Sequence, residues 1–307
     1  MDKSEIDSYI RAGEIAKKVK VFARELIKPG MKLIDIAEAV DAKILELGGE
    51  FAFPVNLSLN EVAAHYTPAP GGESLAEGIL KVDIGVAVDG FIADTAFSLD
   101  LTDDGRFGEM IALNKEILRK ASEVVRVGME VRDVGEAVQD TLEVWNTSGE
   151  KKVESRKNYV IIRSLSGHAL GQDMIHAGLT ISNYRNDNET KLDDVAFAIE
   201  PFVTTGVGDI FEGKGGGIYI LNSDGQVRDR DAREVLEFVR EEYGTRPFCA
   251  RWLAKAGFGR LKFVLGILVK QGILHEYPML IEKSRKPVSQ AENTFLISGG
   301  EVICTTG

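Results

Sequence analysis

The sequence predicts an α/β (α+β) fold in which two related halves enclose one site, and three observations support this prediction. Stretches with helical periodicity alternate with strand-like apolar runs along the 307 residues. A short helical segment recurs later in the chain. A glycine-rich and charged stretch then interrupts the second half. We therefore expect one domain over residues 1–307 that carries an insertion.

The first element is an amphipathic helix that ends at Pro29-Gly30. Apolar residues recur at three- and four-residue steps from Ile6 to Leu26, which is the helical period. Ser4, with Asp7 three residues later, resembles a capping box and predicts where the helix begins. A second helix follows over about 33–47 and ends at two glycines.

A hairpin with two aspartates comes next. Two apolar runs flank Asp89-Gly90, the dipeptide favoured in a two-residue type I′ turn. Counting outward from this turn pairs Gly85 with Asp94 and puts Asp83 on the same face, because side chains alternate with period two. Asp83 and Asp94 are then diagonal neighbours with Cβ atoms roughly 7 Å apart or less. We expect Gly85 to leave the space between them open.

The two aspartates predict a bound cation. Carboxylates on one face of an apolar hairpin repel each other and are costly to bury, so a cation or a shared proton would stabilise them. The alternative is an exposed face with two solvated aspartates. Apolar residues on both strands favour burial, namely Val82, Ile84, Ile92 and Ala93.

A third helix, about 109–127, leads into the repeat. Gly30–Val40 aligns with Gly128–Val138 at a constant offset of 98 residues, with Gly, Met, Asp, Glu, Ala and Val identical at matching positions. Chance similarity between two amphipathic helix starts is the alternative. Duplication predicts two βα halves related by a pseudo-two-fold axis, with a site where the halves meet.

After Phe202 the pattern changes. A glycine-rich loop at 213–217 leads to a charged helical stretch over about 231–270, which predicts an inserted, mostly helical subdomain at approximately 205–285. Strand-like sequence returns over 292–304 and folds about Ser298-Gly299-Gly300.

Further candidate ligands lie far apart in the chain. His65, His168 and His176 stand beside small residues and turn formers, although an ordinary hydrogen-bonded histidine is the alternative at each position. Glu200 closes an apolar run and Glu292 opens the last hairpin, whereas His275 is expected at the surface. Four carboxylates and one imidazole form an oxygen-rich set that suits a pair of divalent transition metals better than structural zinc.

Composition excludes several classes of protein. The net charge of −11 argues against a specific nucleic-acid binder, which usually carries a basic face. No window approaches the ~20 apolar residues of a membrane span, and Met1–Glu5 lacks the pattern of a signal peptide. We therefore expect a cytoplasmic protein in which Cys249 and Cys304 are buried thiols, and we expect a monomer.

The candidate residues and their contexts resemble the methionine aminopeptidases, in particular the type 2 branch. The matching contexts are Val-Asp-Ile-Gly at Asp83, Ala-Asp-Thr-Ala at Asp94, Ser-Gly-His at His168, Ile-Glu-Pro-Phe at Glu200 and Gln-Ala-Glu-Asn-Thr at Glu292, together with Ala52-Phe53-Pro54 and Ala64-His65-Tyr66-Thr67-Pro68. The resemblance covers nearly the whole chain. It implies a pita-bread fold, and the helical insert is similar to that of the type 2 enzymes.

The resemblance also implies an activity and a partner. Methionine would be removed from nascent polypeptide N-termini with a small second residue, through a hydroxide that bridges two divalent metals, with Co, Mn, Fe, Ni and Zn all compatible. It leaves open whether the insert contacts the ribosome.

Residue roles carry over by position. Asp83 and Asp94 would hold one metal with Asp94 bridging, His168 and Glu200 would complete the second, and Glu292 would bridge both. Glu200 would also carry the proton to the leaving amine. His65 and His176 would contact the substrate, and Phe53 and Ile175 would line the methionine pocket. The chain departs from the family at Asn293, where a histidine usually follows the last glutamate.

Two other interpretations stay open. A proline-specific peptidase of the prolidase kind would have an acidic residue soon after the second histidine and an arginine soon after the second aspartate. This chain has Ala177 and Thr95 in those neighbourhoods. A non-catalytic binding protein derived from the same fold is the other alternative, although all five ligand residues are present.

Overall fold

The computed structural model describes residues 1–147 and 158–307 as a mixture of helices and antiparallel sheets, which confirms the predicted fold class. The helices are α1 (Lys3–Leu26), α2 (Leu33–Glu46), α3 (Gly108–Glu123), α4 (Val131–Thr147), α5 (Arg230–Glu242), α6 (Ala250–Lys255) and α7 (Leu261–Lys270). The strands are β1 (Glu50–Phe51), β2 (Asn56–Leu59), β3 (Val62–Ala64), β4 (Ile79–Val88), β5 (Phe91–Asp100), β6 (Val160–Ile161), β7 (Ser166–Leu170), β8 (Thr180–Ser182), β9 (Val195–Ile199), β10 (Phe202–Thr204), β11 (Ile210–Leu221), β12 (Phe248–Cys249), β13 (Leu274–Glu282), β14 (Val288–Gln290), β15 (Asn293–Ser298) and β16 (Glu301–Cys304).

The N-cap of helix α1 lies two residues before the predicted cap. The Asp2 carboxylate accepts hydrogen bonds from the backbone N–H groups of Ser4 and Glu5, and the Glu5 side chain accepts one from the Asp2 N–H. This is a capping box built on Asp2, so the prediction of a box at Ser4 and Asp7 is wrong. Asp2 takes the role because its backbone is extended while Ser4 already lies inside the helix.

The predicted β4–β5 hairpin is confirmed in its turn and in its register. Asp89 and Gly90 both have positive φ angles, 52° and 80°, as a type I′ turn requires. Val88 pairs with Phe91 and Gly85 pairs with Asp94. The last hairpin also folds where it is predicted, with Gly299 and Gly300 at positive φ between β15 and β16.

The sequence repeat is repeated in the hydrogen bonding. The Gly30 N–H donates to the Ala76 carbonyl and the Gly128 N–H to the Leu192 carbonyl, each just before a helix. Lys32 bridges to Leu75, and Glu130 bridges to Lys191. Helices α2 and α4 then begin at equivalent residues, Leu33 and Val131. Helix α3 ends at Glu123, earlier than predicted, because the chain must turn before Gly128 can make its bond.

Each half packs two helices on one sheet. In the first half, α1 and α2 cover the sheet ordered β1-β4-β2, with β5 paired to β4, and the shared core includes Val19, Ile36 and Val82. In the second half, α3 and α4 cover the sheet ordered β16-β15-β9-β7-β8, and the core includes Leu113 and Phe197. The two sheets meet where β5 contacts β15.

The range 205–285 contains helices and long strands. Strands β11 and β13 pair from Ile210↔Glu282 to Leu221↔Leu274, and β13 also pairs with β3 of the first half. Helices α5, α6 and α7 come between β11 and β13 in the chain and share a core that includes Leu236 and Leu265. The expectation of a mostly helical insert is therefore wrong in its composition, because glycine-rich β11 forms a strand. The division of the chain into one domain with an insert stays a prediction.

Two expectations from composition, on the cysteines and on membrane spans, can be compared with the structure. Cys249 is buried but Cys304 is only half-buried, so the prediction of two buried thiols holds for Cys249 alone. Across residues 1–147 and 158–307, none of the helices combines the length and the hydropathy that a bilayer crossing requires.

Candidate metal centre

Five side chains predicted as metal ligands converge where the two sheets meet. Asp83 lies on β4, Asp94 on β5 and His168 on β7, while Glu200 directly follows β9 and Glu292 directly precedes β15. One possible ligand atom from each of Asp94, His168 and Glu292 lies within 4.8 Å of the others. His168 Nε2 is 3.7 Å from Asp94 Oδ2 and 3.6 Å from Glu200 Oε1.

The hairpin register places the two aspartates on one face. Asp83 is opposite Ala96 and Asp94 is opposite Gly85, so the two carboxylates are diagonal neighbours as predicted. The space beside Gly85 is not open, however. A Cβ at this position would lie 2.3 Å from Phe53, so the aromatic ring packs directly on the glycine. The prediction of an unfilled space is therefore wrong, because Phe53 occupies it.

Hydrogen bonds between the halves hold β15 against β5. Thr294 Oγ1 accepts from the Asp94 N–H and donates to the Asp94 carbonyl, both at 2.8 Å. The Glu292 N–H donates to the Ala96 carbonyl, and Thr95 Oγ1 donates to the Glu292 carbonyl. These contacts fix the backbone of both carboxylates, so the second half brings its ligand to the first with a defined position.

Gln290 is a further member of the site that the sequence does not single out. Its Nε2 lies 3.3 Å from Asp83 Oδ2 and 3.4 Å from Glu200 Oε2, so the amide donates to one carboxylate from each half. Gln290 stands two residues before Glu292, on β14, and is buried. Its place in the Gln-Ala-Glu-Asn-Thr context of Glu292 is the signal in the sequence that could have suggested it.

Burial makes the charged carboxylates unfavourable unless a cation is present. Burial, together with the neighbouring negative charges, raises the pKa of Asp94 and Glu292 well above the usual range, and the same causes raise the pKa of Glu200. Burial also raises the pKa of Asp83, to about 6. Among the described residues, Asp83 Oδ1, Asp94 Oδ1 and both Glu292 oxygens have no hydrogen-bond partner. Unpartnered, buried carboxylate oxygens beside an imidazole fit divalent cations.

A cavity of about 70 Å³ opens onto these ligands. Its walls include Phe53 and Ile175, which the sequence analysis places in the methionine pocket, and both His65 and His176. Five further lining residues were not predicted, namely Asn56, Ala64, Ile218, Pro247 and Tyr277. Ile218 and Tyr277 come from β11 and β13, so the insert supplies part of the wall.

The two non-ligand histidines are held in different ways. His65 has a φ of 65°, in the left-handed region, and its N–H donates to Asn56 Oδ1 at 2.9 Å. A strained backbone of this kind is often found at functional sites. The His176 ring meets the His168 ring edge-on at 4.5 Å. Burial lowers the pKa of His176, and burial together with the charge of His176 lowers the pKa of His65 to about 4. Both rings are therefore neutral at pH 7.

A second buried cluster joins the insert to the first half. Arg251 donates to Thr67 Oγ1 and to the Pro68 carbonyl at 2.7 Å, and it pairs with the buried Asp41 at 3.2 Å. Thr67 lies two residues after His65 and donates to the Val55 carbonyl. The insert thus supports the loop that carries His65.

Comparison with known proteins places this geometry in a family. Residues 7–236 match the model for metallopeptidase family M24. The chain is 41% identical over 308 residues to a methionine aminopeptidase of Pyrococcus horikoshii, an alignment that covers 98% of this chain and 99% of that protein. Two solved structures share its fold. The methionine aminopeptidase of Thermotoga maritima has a TM-score of 0.68 and 20% identity, covering 100% of this chain and 98% of its own. A thermophilic Arx1 has a TM-score of 0.79 and 16% identity, covering 100% and 92%.

Proposed function

The chain belongs to metallopeptidase family M24, and we propose that it is a methionine aminopeptidase that hydrolyses the N-terminal methionine of nascent proteins. One observation carries this proposal. Buried carboxylates from both halves converge with an imidazole beside a cavity with apolar walls, in a chain 41% identical to a named methionine aminopeptidase. The enzyme is a hydrolase that uses divalent metal.

Five residues would hold two metal ions. These residues would be Asp83, Asp94, His168, Glu200 and Glu292. Bound divalent cations would polarise the scissile carbonyl and lower the pKa of water enough to make it a nucleophile at neutral pH. The unpartnered oxygens of Asp83, Asp94 and Glu292 support this assignment.

The cavity selects the residue that is removed. Phe53 and Ile175 present apolar surface on which a methionine side chain loses its contact with water. The Phe53 ring cannot retreat, because Gly85 lies directly behind it. The resemblance to the methionine aminopeptidases implies a preference for a small second residue, which a narrow site beyond the first side chain would impose.

Two neutral imidazoles and one carboxylate carry out the remaining chemistry. His176 and His65 donate N–H hydrogen bonds to the substrate oxygen on which negative charge develops. Neutral rings are required for this because a protonated ring would be repelled by the metal ions. Glu200 takes the proton from the attacking water and passes it to the leaving amine. Its Oε2 accepts from Gln290, which keeps Oε1 directed toward the site.

Partners and compartment follow from this activity. The substrates are N-termini of nascent polypeptides, so the enzyme acts in the cytoplasm. Both halves of a single chain supply the whole ligand set, so the site needs no residue from a second copy.

Peptide hydrolysis tests the proposal. We expect the purified enzyme to release methionine from Met-Ala-Ser and not to cleave an Ala-Pro peptide. His168→Ala and Glu292→Ala should each abolish hydrolysis and reduce the bound metal, measured by plasma mass spectrometry. His275→Ala, at an exposed position, is the matched control and should keep wild-type activity.

Three results would contradict the proposal. Preferred cleavage of the Ala-Pro peptide would indicate a prolidase-like enzyme. Folded, metal-free protein that cleaves neither peptide would indicate a binding protein. Retention of most activity and metal in His168→Ala would exclude the ligand assignment.

A further inference from the structure

A second cavity lies beside the metal centre, between helices α1 and α3. It has a volume of about 170 Å³ and is lined at its inner end by Gln290, Glu292 and Asn293. Lys20 and Arg24 of α1 line one side, and Lys115 of α3 lies across from them. The cavity therefore sits where a helix from each half covers the junction of the two sheets.

In the described part of the chain none of the three basic side chains forms an ion pair, although the Glu292 carboxylate lies in the same cavity and attracts Lys20. Lys20 Nζ donates to Thr95 Oγ1 at 2.9 Å, Asn293 Oδ1 at 3.2 Å and the Thr306 carbonyl at 2.7 Å, all of which are neutral. The Arg24 guanidinium lies over the Phe97 ring, 4.0 Å from its centroid. Within residues 1–147 and 158–307, no carboxylate oxygen lies within 4.0 Å of a nitrogen of these three side chains.

This arrangement is unusual in an acidic protein. The chain has 48 acidic residues against 37 basic ones, so most cations could find a carboxylate nearby. Lys20 and Arg24 are also half-buried, which adds a cost of desolvation to their mutual repulsion. Burial and the charge of Arg24 lower the pKa of Lys115, which agrees with the short separation of the cations.

The metal centre does not supply the missing negative charge. If the proposed function holds, two divalent ions neutralise the four carboxylates of the site. The Glu292 carboxylate attracts Lys20 when no metal is bound, and bound metal ions would compensate its charge instead. Three positive charges around one small cavity remain unbalanced.

We propose that this cavity binds a small tetrahedral oxyanion, such as inorganic phosphate or sulfate. A dianion balances three cations better than chloride or a carboxylate does. Arg24 and Lys115 can form strong charge-assisted hydrogen bonds with such oxygens. The three N–H groups of Lys20 already donate to protein acceptors, so Lys20 contributes its charge alone. The volume agrees, since a cavity of about 150 Å³ accepts a molecule as large as benzene. Gln290 and Glu292 line the same cavity, and Lys20 also donates to Asn293, so the anion would lie directly beside the metal centre.

Calorimetric titration of inorganic phosphate into the metal-loaded protein at constant ionic strength tests the site. Arg24→Gln and Lys115→Gln should each weaken phosphate binding about tenfold, because each removes a charge-assisted hydrogen bond. Lys18→Gln is the matched control, since it removes one positive charge from an exposed position of α1 outside the cavity, and it should bind like wild type. Lys115 is exposed, so its variant tests the site even if Arg24→Gln fails to fold.

A selenate soak locates the anion directly. Anomalous scattering should give a peak among Lys20, Arg24 and Lys115 in the wild type and in Lys18→Gln, and a weaker peak in Arg24→Gln at the same selenate concentration. A peak at the metal centre alone, no peak, or equal phosphate affinity in wild type and both cavity variants would overturn the proposal. Metal content and peptide hydrolysis are measured on the same preparations. An active, metal-loaded enzyme that binds no phosphate would refute the anion site and leave the proposed function intact.

Discussion

The two halves of the molecule supply their ligands in different ways. In the first half, Asp83 and Asp94 stand on two strands joined by the two-residue turn Asp89-Gly90. In the second half, β9 and β15 are also antiparallel neighbours, but residues 200–292 connect them. Strands β4 and β9 correspond. Leu75, which bridges to Lys32, lies four residues before β4 begins, and Lys191, which bridges to Glu130, lies four residues before β9 begins.

The difference shows that strand register is specified by a local turn in the first half and by contacts distant in sequence in the second. A type I′ turn fixes the pairing of its strands locally, so the faces of Asp83 and Asp94 follow from the turn sequence. A long connection does not specify which residues pair, because the entropic cost of closing it changes only weakly with its length. The pairing of Ile199 with Asn293 depends instead on the second core and on the Thr294 bonds to β5.

Shifting the register of the hairpin should have the largest effect. An alanine inserted between Ile92 and Ala93 moves Asp94 to the other face of β5, because side chains alternate. We expect metal affinity to fall by more than about 100-fold, the upper range for loss of a supporting contact. Metal content after dialysis measures it.

The control for this insertion lies in an exposed loop. A glycine added between Gly71 and Gly72, where a Cβ at Gly71 would meet nothing within 4 Å, should leave metal content unchanged. Wild-type metal content in the strand insertion would mean that a bulge absorbs the extra residue and that register is not set by the turn.

Adding a methyl group at Gly85 should have an intermediate effect on stability and on substrate binding. In Gly85→Ala, the new methyl group would overlap the Phe53 ring and force it into the cavity. We expect a loss of about 1–3 kcal/mol in the free energy of unfolding and a raised KM for methionyl peptides. Gly266→Ala, in α7 with nothing within 4 Å, is the control and should stabilise by about 1 kcal/mol. Equal stability of the two variants in urea would show that Phe53 moves freely.

The pH dependence of stability should change least. The pKa of His65 is lowered to about 4, from an ordinary value of 6.5, chiefly by burial. As pH falls from 6.5 toward 4, His65 is protonated in the unfolded chain but stays neutral in the folded protein. The free energy of unfolding therefore decreases. His65→Gln should lose less stability between pH 7 and pH 5 than the wild type in urea titrations.

The wild type and His65→Gln are compared at the same pH values and with the same metal content. An identical acid destabilisation in the two proteins would mean that His65 is not shielded from water.

Local chemistry accounts for the predictions that the structure matches. The Asp89-Gly90 turn, the register around Gly85, the repeated helix starts and the last glycine turn all depend on residues close together in sequence. The errors have local causes as well. The capping box was placed at Ser4 because Asp2 lies at the edge of the pattern, and glycines 213–217 suggested a loop where β11 forms a strand.

The sequence by itself determined the hairpin, its two carboxylates on one face and the kinship of the two halves, because turn conformation and side-chain alternation act within a few residues. Only the tertiary structure decided that Gln290 joins Asp83 to Glu200, that Phe53 fills the space at Gly85 and that three cations from α1 and α3 share a cavity. These contacts join residues far apart in the chain, and their distances are set by how the two cores pack together, which no local pattern encodes.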